Sequence, residues 1–220
     1  MNDLPAPPIV PAGAAIEAAS FRRIEAQVGT HDPHDPWQWQ VVRRLIHTSG
    51  DLALHGLTRF HPRAIPAAMA ALRRAAPLIV DVEMIRAGLT ARRLQPLGLS
   101  VQQWNAAPEV IARAQAEGTT RSVQAMRHAW RTGLLADAVV VIGNAPTALL
   151  EVIRLVQEEG VRPALIVGVP VGFINAAESK EALMALDDPP WIAIQGTKGG
   201  STLAVAALHA LLDLALEIPP

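Results

Sequence analysis

The 220-residue sequence contains no cysteine, which excludes disulfides, thiolate nucleophiles and cysteine-held metals at the outset. It has no surplus of one charge either. Nineteen basic against 20 acidic residues leave a formal net charge of -1, too little for an overall field that would gather nucleic acid or an anionic membrane. A polyanionic ligand must therefore be met locally. Lysine is scarce: Lys180 and Lys198 are the only lysines among the 19 basic residues. Base composition accounts for that bias as readily as function does, although arginine forks suit carboxylate recognition.

Long apolar runs are also missing. The most apolar stretch, Leu203 to Leu216, carries His209 and Asp213 and is shorter than the roughly 20 residues that a membrane span needs, so it reads as a buried helix. The opening Met1-Asn2-Asp3-Leu4-Pro5 is acidic and proline-broken, unlike a signal peptide, and the expected location is the cytoplasm. No histidine pair makes a metal site, because His31 and His34 lie three apart in a proline-broken turn without a third ligand.

What is present is a pattern of alternating elements. A proline-rich arm over residues 1–13 precedes one expected domain over 14–220. Ile16, Ser20, Phe21, Ile24 and Val28 fall at helical spacing. A second helix is expected from Pro36, capped by Asp35, to about His47, with Gly50 ending it, and a third over Ile65 to Ala75. Apolar β-branched runs then alternate with helical segments. The runs are Leu78 to Val82, Ala138 to Ile142, Ala164 to Val169 and Trp191 to Ile194, with a weaker one near Leu97 to Val101. Helices are expected over Pro108 to Ala116, Arg121 to Leu135, Thr147 to Glu159, Ala176 to Leu186 and Ser201 to Leu216. This alternation predicts a three-layer α/β/α, doubly wound, mainly parallel sheet of about five strands, with ligands at the carboxyl ends of the strands.

Unusual residues cluster at those ends. Gly143-Asn144-Ala145-Pro146-Thr147 has the form of a strand, a tight turn and a helix start, whose free N–H groups favour an anion; an ordinary connecting loop has the same form. Gly168 to Lys180 forms a structured loop, in which Glu178 and Lys180, taken singly, read as solvated charges. Gln195-Gly196-Thr197-Lys198-Gly199-Gly200-Ser201-Thr202 has the ingredients of a phosphate loop in the wrong order, which excludes a nucleoside triphosphatase and leaves an anion-tolerant helix start. His47, in Ile46-His47-Thr48-Ser49-Gly50, sits at a helix C-terminus, where a protonated imidazole is stabilised; a simple helix cap fits the same position.

Together, Ser20-Phe21, Ile46-His47-Thr48-Ser49-Gly50, Asp81-Val82-Glu83-Met84, Thr119-Thr120-Arg121-Ser122, Gly143-Asn144-Ala145-Pro146-Thr147, Gly168-Val169-Pro170-Val171-Gly172-Phe173, Ala177-Glu178-Ser179-Lys180 and Gly199-Gly200-Ser201 resemble the precorrin-8X methylmutase family from Ile16 to Leu211. The resemblance implies a flavodoxin-like fold, a homodimer, no bound cofactor and no metal. It also implies movement of a methyl group from C-11 to C-12 of precorrin-8X, giving hydrogenobyrinate, or of the cobalt-bearing equivalent. It places the catalytic histidine on His47 and substrate contacts on Ser20, Thr90 and Arg121. By pattern and resemblance, Asn144, Ser179, Lys180, Gly199 and Ser201 join them. A tetrapyrrole-binding carrier with the same pocket is the alternative, and turnover separates the two. Another is an unrelated flavin- or nucleotide-binding module, which corrinoid absorbance would exclude.

Overall fold

The computed structural model describes residues 13–217; the expected arm lies outside them except for Gly13, which opens the first helix. The chain begins α1 (Gly13–Val28), α2 (Pro36–Ser49), α3 (Leu54–Leu57), β1 (Thr58–Phe60) and α4 (Ala64–Arg73). It continues β2 (Leu78–Val80), α5 (Glu83–Gly88), α6 (Ala91–Leu94) and, after a 3-10 turn at Gln95–Leu97, β3 (Val101–Gln102). Two helices, α7 (Pro108–Glu117) and α8 (Arg121–Arg131), lead to β4 (Val139–Ile142), α9 (Pro146–Glu158) and β5 (Leu165–Gly168). The described part closes with α10 (Ala176–Met184), β6 (Trp191–Ile194) and α11 (Ser201–Ala215).

The sheet order is β1-β6-β5-β4-β2-β3, with every pairing parallel except β1 against β6. Strand residues alternate between two cores, as a pleated sheet requires. Leu78, Val80, Val139 and Val141 face a core built with α2, α4 and α11, whereas Ile79, Val140 and Ile142 face one built with α7, α8 and α9. All four β4 residues are buried, which accounts for a run with no polar alternation. Each buried Val or Ile stabilises by roughly 1.5–3 kcal/mol relative to exposure, so Val140→Asp would break the central strand.

Two expectations need correction. Among the described residues the sheet has six strands, not about five, because Thr58-Arg59-Phe60 pairs with Ile194, Ala193 and Ile192 at the β6 edge. The weak fifth run lies later than expected, at Val101–Gln102, since the residues before it are taken up by the 3-10 turn around Pro96. Expected ends also shift: α8 stops at Arg131, ahead of the left-handed Gly133, and α10 stops at Met184. No helix among the described residues is long and apolar enough to cross a membrane.

Strand order reverses between β2 and β4. The crevice outside their carboxyl ends is where such sheets take ligands, and α5 and the turn before α9 lie there.

Candidate active site

The site begins with a well-made helix. Asp35 accepts the backbone N–H groups of Trp37 and Gln38, Pro36 starts the helix, and Gly50 closes it with a φ of 70°. These signals fix α2 so that His47 stands in its last turn, half-buried. From α1, Ser20 Oγ comes to 2.8 Å from His47 Nδ1. Phe21 meets the imidazole edge-on at 5.3 Å between centroids, and the Arg43 guanidinium lies 4.2 Å from the Phe21 centroid, tied to Glu25. The ring is therefore held on one nitrogen and one edge. When the hydroxyl donates to Nδ1, the neutral ring carries its proton on Nε2; when the ring is protonated, Nδ1–H donates to the hydroxyl and Nε2–H remains free.

A cavity of about 380 Å³ opens between α2, α5 and α11; the chain neighbours of His47, and not His47 itself, line it. Arg44 and Thr48 line it from α2, Met84 and Gly88 from α5, and Ser201, Thr202, Val205, Ala206 and His209 from α11. Gly88 is needed for this approach, because a Cβ there would lie 2.7 Å from a Val205 methyl. On the other side of α5 lies a cavity of about 470 Å³, lined by Val82, Glu83, Arg86, Gln103, Asn105, Ala106 and Arg121. Arg86 is committed to Glu83 at 2.8 Å, whereas Arg121 is exposed and makes no ion pair among the described residues. Thr90 is exposed at the start of α6, two residues past Gly88.

The structure thus joins Ser20 to His47, puts Ser201 in the first cavity and Arg121 in the second, and leaves Thr90 next to α5. Four other expectations change. The N–H groups of Gly143, Asn144 and Ala145 do not await a ligand, because the buried Asp81 carboxylate accepts all three at 3.0, 2.9 and 2.7 Å. Burial pushes the Asp81 carboxyl up, and these three bonds oppose the rise. Only the exposed Asn144 side chain remains to meet a substrate.

Ser179 is fully buried, with its hydroxyl donating to the Ala176 carbonyl. Lys180 is also fully buried; its Nζ donates to the Lys198 carbonyl at 2.7 Å, and burial lowers its pKa to about 8. Lys198 in turn reaches Asp51 at 2.6 Å, so Lys180 secures the turn before α11 from beneath. Gly199 is required by packing, since a Cβ there would lie 2.2 Å from the Val169 carbonyl oxygen.

Sequence reasoning missed Arg44, Thr48, Met84, Thr202 and His209. A signal existed for some of them: Arg44 and Thr48 are four apart on α2, as are Ser201, Val205 and His209 on α11, so each set shares a helix face.

A sequence model of the precorrin-8X methylmutase family matches residues 15–214. The chain is 43% identical over 207 residues to a cobalt-precorrin-8 methylmutase of Leptospira interrogans, covering 92% of this chain and 94% of that one. It is 40% identical over 201 residues to a precorrin-8X methylmutase of Pseudomonas aeruginosa, covering 90% and 94%. The crystal structure of a precorrin-8X methylmutase from Thermus thermophilus superposes with a TM-score of 0.87 at 47% identity, covering 93% of this chain and 97% of that one.

Proposed function

The chain belongs to the precorrin-8X methylmutase family of isomerases, and from that premise we propose that it moves the C-11 methyl group of precorrin-8X, or of its cobalt-bearing equivalent, to C-12, with His47 as the proton donor. The observation that carries this reading is the Ser20–His47 pair at the end of α2, where the next residue, Thr48, lines a mainly apolar cavity.

The macrocycle lies across α5. Met84, 65% exposed, offers an apolar surface there, with one cavity on each side of the helix. One edge enters the groove between α2 and α11, and the other reaches Arg121, whose uncommitted guanidinium suits a carboxylate of the substrate. His47 donates its Nε2 proton to a ring nitrogen near the migrating centre. The conjugated system becomes electron-poor, the bond from methyl to C-11 breaks as the bond to C-12 forms, and the proton returns to His47. The rearrangement conserves every atom and electron within one molecule. Ser20 holds the ring in register through both protonation states.

In the same reading, residues 14–220 form one cytoplasmic domain. The parallel strands, in the order β3-β2-β4-β5-β6, follow flavodoxin-like winding. The chain pairs as a homodimer, which would cover Phe173 and Ile174, now 92% and 81% exposed.

Incubation with metal-free and cobalt-bearing substrate, followed by visible absorbance, tests the activity. Conversion of either supports it. Binding without spectral conversion would instead make the chain a tetrapyrrole carrier.

A further inference from the structure

We propose that His209 is a substrate-recognition residue, whose imidazole donates one N–H to an acetate or propionate carboxylate on the edge of the macrocycle that enters the α2/α11 groove. This rests on reading that groove as part of the substrate site.

The first support is position. His209 lines the same cavity as Arg44 and Thr48, the α2 residues that flank His47. A group bound against His209 therefore lies on the catalytic side of α5.

The second is unused hydrogen-bonding capacity. Arg44 holds Glu17 at 2.9 Å and Asp213 at 3.2 Å, and Arg93 grips both Asp213 oxygens at 2.6 and 2.9 Å. These four charges satisfy one another. His209 Nε2, one turn before Asp213 on α11, is enclosed and has no partner among the described residues. Buried polar groups are ordinarily bonded. The cavity it lines also holds Arg44, Thr48, Ser201 and Thr202, yet none of them bonds to Nε2. A ligand group is thus the natural partner, reached by a turn of the ring about its Cβ–Cγ bond.

The third is charge. Burial first, and then the nearby Arg93 and Arg44, push the His209 pKa down to about 4, against the opposing pull of Asp213 and Glu17. The imidazole is therefore neutral at neutral pH, with one donor and one acceptor. A volume of about 380 Å³ takes one edge of a macrocycle with its side chain, not a whole tetrapyrrole.

The test uses the full-length protein and has two readouts. Turnover of precorrin-8X by wild type, His209→Ala and His209→Gln gives KM and kcat. Ring-proton NMR of wild type, with the His209 signal identified by its loss in His209→Gln, gives the imidazole pKa with and without saturating hydrogenobyrinate. The expected result is a KM raised about tenfold in His209→Ala with kcat within about twofold, and a His209 pKa that rises by about one pH unit in the complex, because a bound carboxylate favours the charged ring. An unchanged KM, or a ring pKa that stays in place when the ligand binds, overturns the proposal. If His209→Ala does not fold, His209→Gln and the wild-type titration decide it. A wild type that converts no substrate would defeat the functional reading instead, and the two failures are distinct.

Discussion

Ser20 Oγ lies 2.8 Å from His47 Nδ1 across 27 residues of chain, and that bond joins α1 to the last turn of α2. The hydroxyl can accept from the protonated imidazole or donate to the neutral one, so the bond holds the ring in one orientation in either state.

Ser20→Ala removes this partner and leaves Phe21 packed against the ring. We expect kcat to fall by roughly tenfold to a hundredfold with KM nearly unchanged, because orientation and not binding is lost. Steady-state kinetics at neutral pH check it. A raised KM with normal kcat would make Ser20 a binding residue only.

Arg121→Ala should act the other way. Its guanidinium is exposed beside the second cavity and makes no ion pair among the described residues, so its loss should raise KM on the order of tenfold and spare kcat. The effect should shrink at high salt in the wild type, since an exposed charge pair is screened. Affinity that is the same in both proteins would remove Arg121 from the site.

The reach of the sequence differs from element to element. The α2 cap signals were local, and Asp35, Pro36 and Gly50 act where they were expected to. β1 was not legible, because three residues cannot show a period and their strand state comes from pairing with β6. Lys180 taken singly reads as a solvated charge, yet Ala176 and Leu183 stand four before and three after it on the same helix face and are buried with it. Asp81 filling the turn after β4 depends on contacts across 62 to 64 residues of chain, which no local pattern carries. For His47, helix position was consistent with a cap as much as a catalyst; the family motifs singled it out.

Lys180 gives a pH prediction. Its folded pKa is lowered to about 8 from the ordinary 10.5, so between those values the unfolded chain binds the extra proton and stability rises with pH. The burial penalty is fully present below pH 8 and relieved above 10.5. With no tyrosine, no cysteine and one other lysine, few other groups titrate in that window. Thermal unfolding of wild type and Lys180→Met should show the wild type gaining on the variant as pH rises from 8 to 10.5. Parallel curves for the two proteins would contradict it.

The central claim is that His47 supplies the proton for the methyl shift. The measurement is single-turnover conversion of precorrin-8X by His47→Ala, alongside product affinity from visible absorbance titration. The account predicts turnover slower by on the order of a hundredfold to ten-thousandfold with affinity largely intact. Turnover at the wild-type rate would contradict it.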